Sequence, residues 1–153
     1  MQFSEIEQST QDLDWFAVDS LGSVAHFASG GKLLPKTVAQ SKEDAEQLQL
    51  FLRSLSDKRT SAETDPRLSE MVELADDSSR NQYLNDFSSM SRRGFYSYDS
   101  PLSGDRSFYY RVTSPKHPLT ISDLPEEISI VLRRTKYEGR FVDAQTVQDY
   151  DLI

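Results

Sequence analysis

Two pairs of short segments rich in aromatic and β-branched residues constrain the fold of this chain most strongly. The first pair, residues 15–19 and 24–29, flanks a short loop that contains Gly22. The second pair, residues 95–99 and 107–113, encloses a loop that contains proline and glycine. Segments of this composition form strands, and glycine supplies the positive φ angle that a tight turn requires. The sequence therefore predicts two β-hairpins.

Helical patterns occupy the region between the two predicted hairpins. Ser41 opens a capping box, and apolar residues follow it at the spacing of one helical face. Asp65 and the proline after it favour a second helix start, with a break or bend at residues 76–79. The helical period then resumes and ends at Gly94. Residues 56–65 have no apolar pattern, and we predict a loop there.

The last third of the chain is less regular. Residues 124–134 favour a short helix after a capped start, although the same residues also fit an alternating strand. Phe141 and Val142 favour a late strand, and residues 1–12 are polar enough to be flexible. We therefore predict a single α+β domain over residues 1–153. Its expected core is an antiparallel sheet built from two hairpins, with two to four helices packed on it.

Composition indicates where such a chain resides. At 153 residues it has the length of one ordinary domain. It contains no cysteine, which favours a reducing compartment. Its first residues lack the apolar stretch of a signal peptide, and no apolar run approaches the roughly 20 residues that span a membrane. These features predict a cytoplasmic protein that does not associate with membranes.

The charge is unevenly distributed along the chain. The formal net charge is −8, and residues 1–31 contain acidic side chains but no lysine or arginine. Such a surface repels nucleic acid, whose binding requires clustered basic residues, and it accelerates encounter with a basic protein. Within this region Asp12, Asp14 and Asp19 are candidate contacts to a basic partner. We predict a protein partner and no nucleic acid.

No motif in the sequence indicates catalysis, a cofactor or a metal. The two histidines, His26 in a predicted strand and His117 in a proline-rich loop, have no nucleophile motif beside them. Lys32 follows glycine, but the other positions of a phosphate-binding loop do not match. Two histidines without cysteine do not supply the usual ligand sets of a structural zinc site. We therefore assign no catalytic, cofactor-binding or metal-binding residue.

Aromatic side chains fall on both faces of the second predicted hairpin. Tyr96, Tyr98 and Tyr109 are the tyrosines that we select there as candidate partner contacts. Tyrosine is enriched in the energetic centres of protein interfaces. Two outcomes remain open for them: both faces are covered by the rest of the chain, or one face remains as a tyrosine-rich binding surface.

The opening hairpin resembles that of a family of short bacterial proteins with no established activity. The resemblance lies in the segment Asp14–Asp19, followed by Gly22, Val24, Ala25 and Phe27. In size, acidity and α+β layout the chain is also similar to the immunity proteins of bacterial toxin systems. This second similarity implies a non-enzymatic role as an inhibitor that binds a basic toxin.

Three hypotheses about function follow from these observations. The first is a non-enzymatic protein-binding domain, in the form of an immunity-type inhibitor of a basic toxin. The second is a structural protein that self-associates through an uncovered hairpin edge. The third is a small enzyme whose site is assembled from dispersed residues, with His26 and His117 as its general-base candidates. We rank them in that order.

Overall fold

The computed structural model describes residues 1–152 and contains both predicted hairpins within one six-stranded sheet. Along the chain its elements are α1 (Glu5–Thr10), β1 (Asp14–Val18), β2 (Val24–Ala28), α2 (Lys36–Ala39), α3 (Lys42–Arg53), β3 (Ala62–Thr64), α4 (Asp77–Arg92), β4 (Tyr96–Asp99), β5 (Phe108–Pro115), α5 (Glu126–Leu132) and β6 (Thr146–Gln148). The pair β1–β2 and the pair β4–β5 are antiparallel, which confirms both hairpins. Gly22 has a φ of 80° in the first turn, as its position predicted.

The sheet is mixed, so the prediction of a purely antiparallel sheet is wrong. The order is β1-β2-β4-β5-β3, and β2 runs parallel to β4 with His26 opposite Ser97. A parallel pair requires a long connection that returns the chain to the same end of the sheet. Helices α2, α3 and α4 lie within this connection. They return the chain to the end of the sheet at which β4 can begin in the same direction as β2.

Other parts of the chain pair with both outer edges of the sheet. At one edge β5 pairs antiparallel with β6 and, further along, with β3. At the other edge the backbone N–H of Val18 donates to the carbonyl of Thr135 at 3.1 Å, and that of Tyr137 donates to the carbonyl of Val18 at 2.9 Å. The outer edge of the first hairpin is therefore partly covered, whereas the self-association hypothesis requires an uncovered hairpin edge.

Helix α3 begins at its predicted cap, and α4 includes the residues over which we predicted that the helical period resumes. The Ser41 hydroxyl accepts from the backbone N–H of Asp44 at 3.2 Å, and α3 then buries Leu48 and Leu52. Residues 76–79 do not break a helix, because the Asp76 carboxylate accepts from the N–H of Ser79 at 2.7 Å and caps α4. This short polar stretch is therefore a helix start.

The remaining helical segments divide into confirmed and wrong predictions. Residues 126–132 form α5, which confirms the helix that we favoured there over a strand. After Asp65 the chain forms only a single 3-10 turn at Leu68–Glu70, so the predicted helix is wrong. Residues 5–10 form α1 with a full capping box at Ser4, although we expected this region to be flexible. Residues 1–152 contain five α-helices, more than the predicted two to four.

The predicted strand at Phe141–Val142 is also wrong. Residues 141–143 form a 3-10 turn, and the late strand is β6, five residues further along the chain. The backbone N–H of Phe141 donates to the Asp19 carboxylate at 2.8 Å, so it is not available to a neighbouring strand. In addition, residues 62–64 of the predicted loop over 56–65 pair with β5 as β3.

Different kinds of structure cover the two faces of the sheet. On one face β1 and β2 pack against α3, α4 and α5 through residues such as Phe16, Leu52 and Leu132. The other face is aromatic, and the C-terminal segment covers it with Phe141 and Val147 among others. Because both faces are covered, all five residues of β2 are buried.

Candidate functional site

The three candidate tyrosines belong to the core. Tyr96, Tyr98 and Tyr109 are 4%, 0% and 2% exposed, respectively. The Tyr98 hydroxyl donates to the carbonyl of Ala144 at 2.6 Å, which fixes the C-terminal segment on the aromatic face of the sheet. In this structure these side chains stabilise the fold and present almost no surface to a partner.

The candidate aspartates occupy three different environments. Asp12 is exposed, and its carboxylate accepts from the backbone N–H of Gly30 at 2.9 Å. Asp19 is buried and accepts from the N–H groups of Leu21, Ser23 and Phe141, so it joins the first turn to the C-terminal segment. Asp14 is partly buried and belongs to a separate polar network.

A chain of hydrogen bonds, here called the buried network, connects Ser97, His26, Asp14, Arg53 and Asp86. The Ser97 hydroxyl lies 2.7 Å from Nδ1 of His26, and Nε2 of His26 lies 2.9 Å from the carboxylate of Asp14. The Arg53 guanidinium bonds to the other oxygen of Asp14 and, at 3.0 and 3.1 Å, to both oxygens of Asp86. The network thus runs from the middle of the sheet to the surface of α4.

The fold brings these five residues together from five elements. Asp14 lies on β1 and His26 on β2, while Ser97 comes from β4 through the parallel pairing. Arg53 is the last residue of α3, and Asp86 lies in the middle of α4. The network therefore fastens two helices to the sheet on which they pack.

Electrostatics within the network favour an ionised Asp14. Burial raises the pKa of Asp14, but the hydrogen bond from His26 and the positive charge of Arg53 outweigh that effect and leave the pKa below its usual value. The pKa of Arg53 is raised, chiefly by its hydrogen bonds to Asp86. Ion pairing thus compensates the carboxylate that approaches the core.

Access decides what the buried network can do chemically. Ser97, His26 and Asp14 are the residue types of a catalytic triad, but Ser97 and His26 are 0% exposed. The concavity beside Asp14 has a volume of about 20 Å³, which holds one water molecule but no substrate. We conclude that in this conformation the network positions structural elements.

Three residues of the buried network, Asp14, His26 and Asp86, also have the composition of a metal site. Ligand atoms of Asp14, His26 and Asp86 lie within 4.8 Å of one another, and histidine with two carboxylates is a donor set that suits zinc. However, the Arg53 guanidinium bonds to both carboxylates. A divalent cation would have to displace this arginine, which already supplies the compensating charge.

A second polar region lies on the outer sides of α1 and α3 and is accessible. We call it the acidic face and define it as Glu5 and Ile6 of α1 with Glu43, Glu46 and Leu50 of α3. The three glutamates are exposed, and Ile6 and Leu50 are 75% and 77% exposed. Spacings of three and four residues place the three α3 side chains on one side of that helix.

Local contacts hold the two helices of the acidic face together. The backbone N–H of Lys42 donates to the carbonyl of Met1 at 2.7 Å, and the side chain of Lys42 pairs with Glu7 on α1. The hydrogen bond to Lys42 lowers the pKa of Glu7. Glu43 accepts from the α-amino group of Met1, whereas Glu5 and Glu46 form no ion pair within residues 1–152.

Sequence reasoning identified only parts of the buried network and of the acidic face. It selected Asp14 and His26 but did not connect them, because Ser97 and Arg53 come close only in the folded chain. It noted the acidity of residues 1–31 but not Leu50, whose exposure follows from its position on the outer side of α3. The periodicity of α3 could have revealed Leu50, because that residue lies outside the predicted apolar stripe.

Comparisons with protein-family models, curated proteins and solved structures return no match to this chain. Among the described residues, no helix combines the length and apolarity needed to cross a membrane. Residues 1–152 and their geometry therefore carry the functional assignment.

Proposed function

We propose that this protein is a non-enzymatic binding domain that docks a basic protein on its acidic face. The observation that carries the proposal is that Ile6 and Leu50 are both strongly exposed and lie on helices whose exposed charges are carboxylates. Apolar side chains among complementary charges are the usual composition of a protein interface.

The distribution of charge supports a basic partner. Helices α1 and α3 carry five acidic side chains. Glu7 pairs with Lys42, whereas Glu5 and Glu46 have no ion-pair partner in the described part of the chain. Exposed carboxylates of this kind increase the rate of encounter with a positively charged protein and fix its orientation. Burial of Ile6 and Leu50 in the complex would then supply apolar stabilisation.

The form of this function that we favour is neutralisation of a basic toxin. It agrees with the acidity, the size and the α+β layout on which the similarity to immunity proteins rests. Since cysteine is absent, we propose that the encounter takes place in the cytoplasm. An inhibitor of this kind requires a stable surface and no catalytic group of its own.

Capture from a lysate of the source cell tests the proposal when matched variants are compared. The face variant combines Glu5→Gln, Glu43→Gln, Glu46→Gln and Leu50→Ser. The control combines Glu73→Gln, Asp77→Asn and Glu126→Gln, which remove the same charge from exposed residues elsewhere. We expect wild type and control to retain the same basic protein at low salt, and the face variant to lose it.

Salt dependence provides the second readout of this experiment. The attraction between exposed charges is screened over a distance of about 8 Å at physiological ionic strength, and this distance shortens as salt is added. Retention of the partner by wild type should therefore fall as the salt concentration is raised. Equal retention by the face variant and the control would reject the acidic face as the docking surface. Retention of an acidic protein alone would reject the proposed partner chemistry.

A further inference from the structure

An open groove lies where two short strands meet the same edge of β5. Strand β3 pairs with residues 113–115, and β6 pairs with residues 108–110. The segment after β3 carries Arg67, and the segment before β6 carries Arg140. These two segments form the walls of a groove with a volume of about 660 Å³, within the size range of sites for small organic ligands.

A buried ion pair fixes both walls of the groove. Nε of Arg111 on β5 lies 3.0 Å from the carboxylate of Asp65, and the two side chains are 15% and 2% exposed. The other oxygen of Asp65 accepts from the backbone N–H of Arg67 at 2.9 Å, which holds the first wall. Arg111 also donates to the carbonyl of Phe141 at 2.6 Å, which holds the second wall. The groove is therefore preorganised.

The polar side chains that line the groove include two arginines, one carboxylate and one amide. Arg67 and Arg140 line it from the two walls, together with the amide of Gln145 and the carboxylate of Asp143. The Gln145 Nε2 is buried and has no acceptor among the described residues. A buried donor without a partner is unfavourable, and a hydrogen bond to a ligand oxygen would remove that cost. The groove thus combines two cationic groups with an unsatisfied donor.

The existing partners of the two arginines do not block a ligand. Arg67 pairs with Glu70 at 3.2 Å, and Arg140 pairs with Asp143 at 2.6 Å, each three residues away along the chain. All four side chains are more than half exposed, and exposed pairs of this kind contribute little to stability. A bidentate anion can therefore replace or share these contacts with the guanidinium groups.

We propose that this groove binds a small organic oxyanion. Its carboxylate or phosphate group would lie between Arg67 and Arg140 and accept from the Gln145 amide. Its organic part would lie against Tyr137, which lines the same groove and stacks on Phe141 with ring centroids 5.2 Å apart. This site uses none of the residues of the acidic face, so the two proposals fail independently.

Titration calorimetry with two probes tests the oxyanion site and distinguishes the ligand groups. Citrate supplies carboxylates and glycerol 3-phosphate supplies a phosphate, with sodium chloride at matched ionic strength as the reference. We expect wild type to bind at least one probe. Binding of citrate alone assigns a carboxylate ligand, and binding of glycerol 3-phosphate alone assigns a phosphate ligand. Binding of neither probe overturns the proposal.

Variants locate the binding within the groove. The double variant Arg67→Gln/Arg140→Gln should weaken binding at least tenfold, because it removes both cationic groups. The control Arg59→Gln/Lys116→Gln changes the net charge equally at exposed residues and should bind like wild type. Gln145→Met removes the unsatisfied donor and should weaken binding several-fold with both arginines in place. Unchanged affinity in the double variant would overturn the site.

Discussion

The buried network and the acidic face are both polar, yet their environments separate them. The network contains the residue types that chemistry uses, but its serine and histidine are completely buried. The acidic face contains only glutamates and aliphatic residues, but they are exposed and partly free of ion pairs. In this molecule the chemically suggestive residues stabilise the fold, and ordinary residues on two helices are available for binding.

The largest expected effect comes from removing the cation of the network. Arg53→Ala removes the arginine from the partly buried Asp14, which keeps only its contact with His26 among the bonds of the network. We expect the free energy of unfolding to fall by about 2–3 kcal/mol, less than the ~3–5 kcal/mol typical of fully buried pairs, because Asp14 retains 19% side-chain exposure. Urea unfolding measures the change. Arg80→Ala, at an exposed position on α4, is the control and should change stability by less than about 0.5 kcal/mol.

A smaller loss is expected at the buried end of the network. Ser97→Ala removes the partner of His26 Nδ1 and leaves a buried ring nitrogen without a hydrogen bond. We expect destabilisation of about 1–2 kcal/mol by urea unfolding. Ser103→Ala, in the exposed loop between β4 and β5, should be neutral. If the two serine variants were equally stable, the hydrogen bond to His26 would have no structural role.

Acid should act on the network through Asp14. Its folded-state pKa lies below the unfolded value, so the ionised form contributes stability that is complete above the unfolded pKa of about 3.9 and is lost as the pH falls through the folded-state pKa. We expect the unfolding free energy of wild type to decline more steeply below about pH 4 than that of Asp14→Asn. Urea unfolding from pH 7 to pH 2.5 measures both curves. If the unfolding free energies of the two proteins fell in parallel as the pH is lowered, a lowered pKa of Asp14 would be contradicted.

The smallest effect on stability is expected at the acidic face. The combined variant Glu5→Gln, Glu43→Gln, Glu46→Gln and Leu50→Ser changes exposed side chains only, so the unfolding free energy should remain within about 0.5 kcal/mol of wild type. Urea unfolding checks this value. A large destabilisation would mean that these residues support the fold. The acidic face would then not differ from the buried network in its contribution to stability.

The sequence predicted those parts of the fold that depend on neighbouring residues. Both hairpins, the Ser41 cap of α3 and the helix at 126–132 follow from local turn and capping chemistry. The parallel pairing of β2 with β4 depends on residues about 70 positions apart, such as His26 and Ser97. No local signal specifies this pairing, and we therefore missed both the mixed sheet and the buried network.

The candidate site was predictable to a similar extent. The acidity of residues 1–31 was visible in the sequence, and this range includes α1. The exposed carboxylates of α3 come from the residues that follow it. Burial was not visible, because it depends on how the rest of the chain covers each side chain. Asp19 and Tyr98 were selected as partner contacts, yet they bond to the C-terminal segment.

The decisive measurement is the affinity of the captured basic protein for purified wild type, for the face variant and for Arg53→Ala. We predict that the face variant binds at least tenfold more weakly in titration calorimetry. Arg53→Ala, measured where it remains folded, should bind like wild type. The opposite pattern, with full binding by the face variant and loss of binding in folded Arg53→Ala, would place function in the buried network and contradict this account.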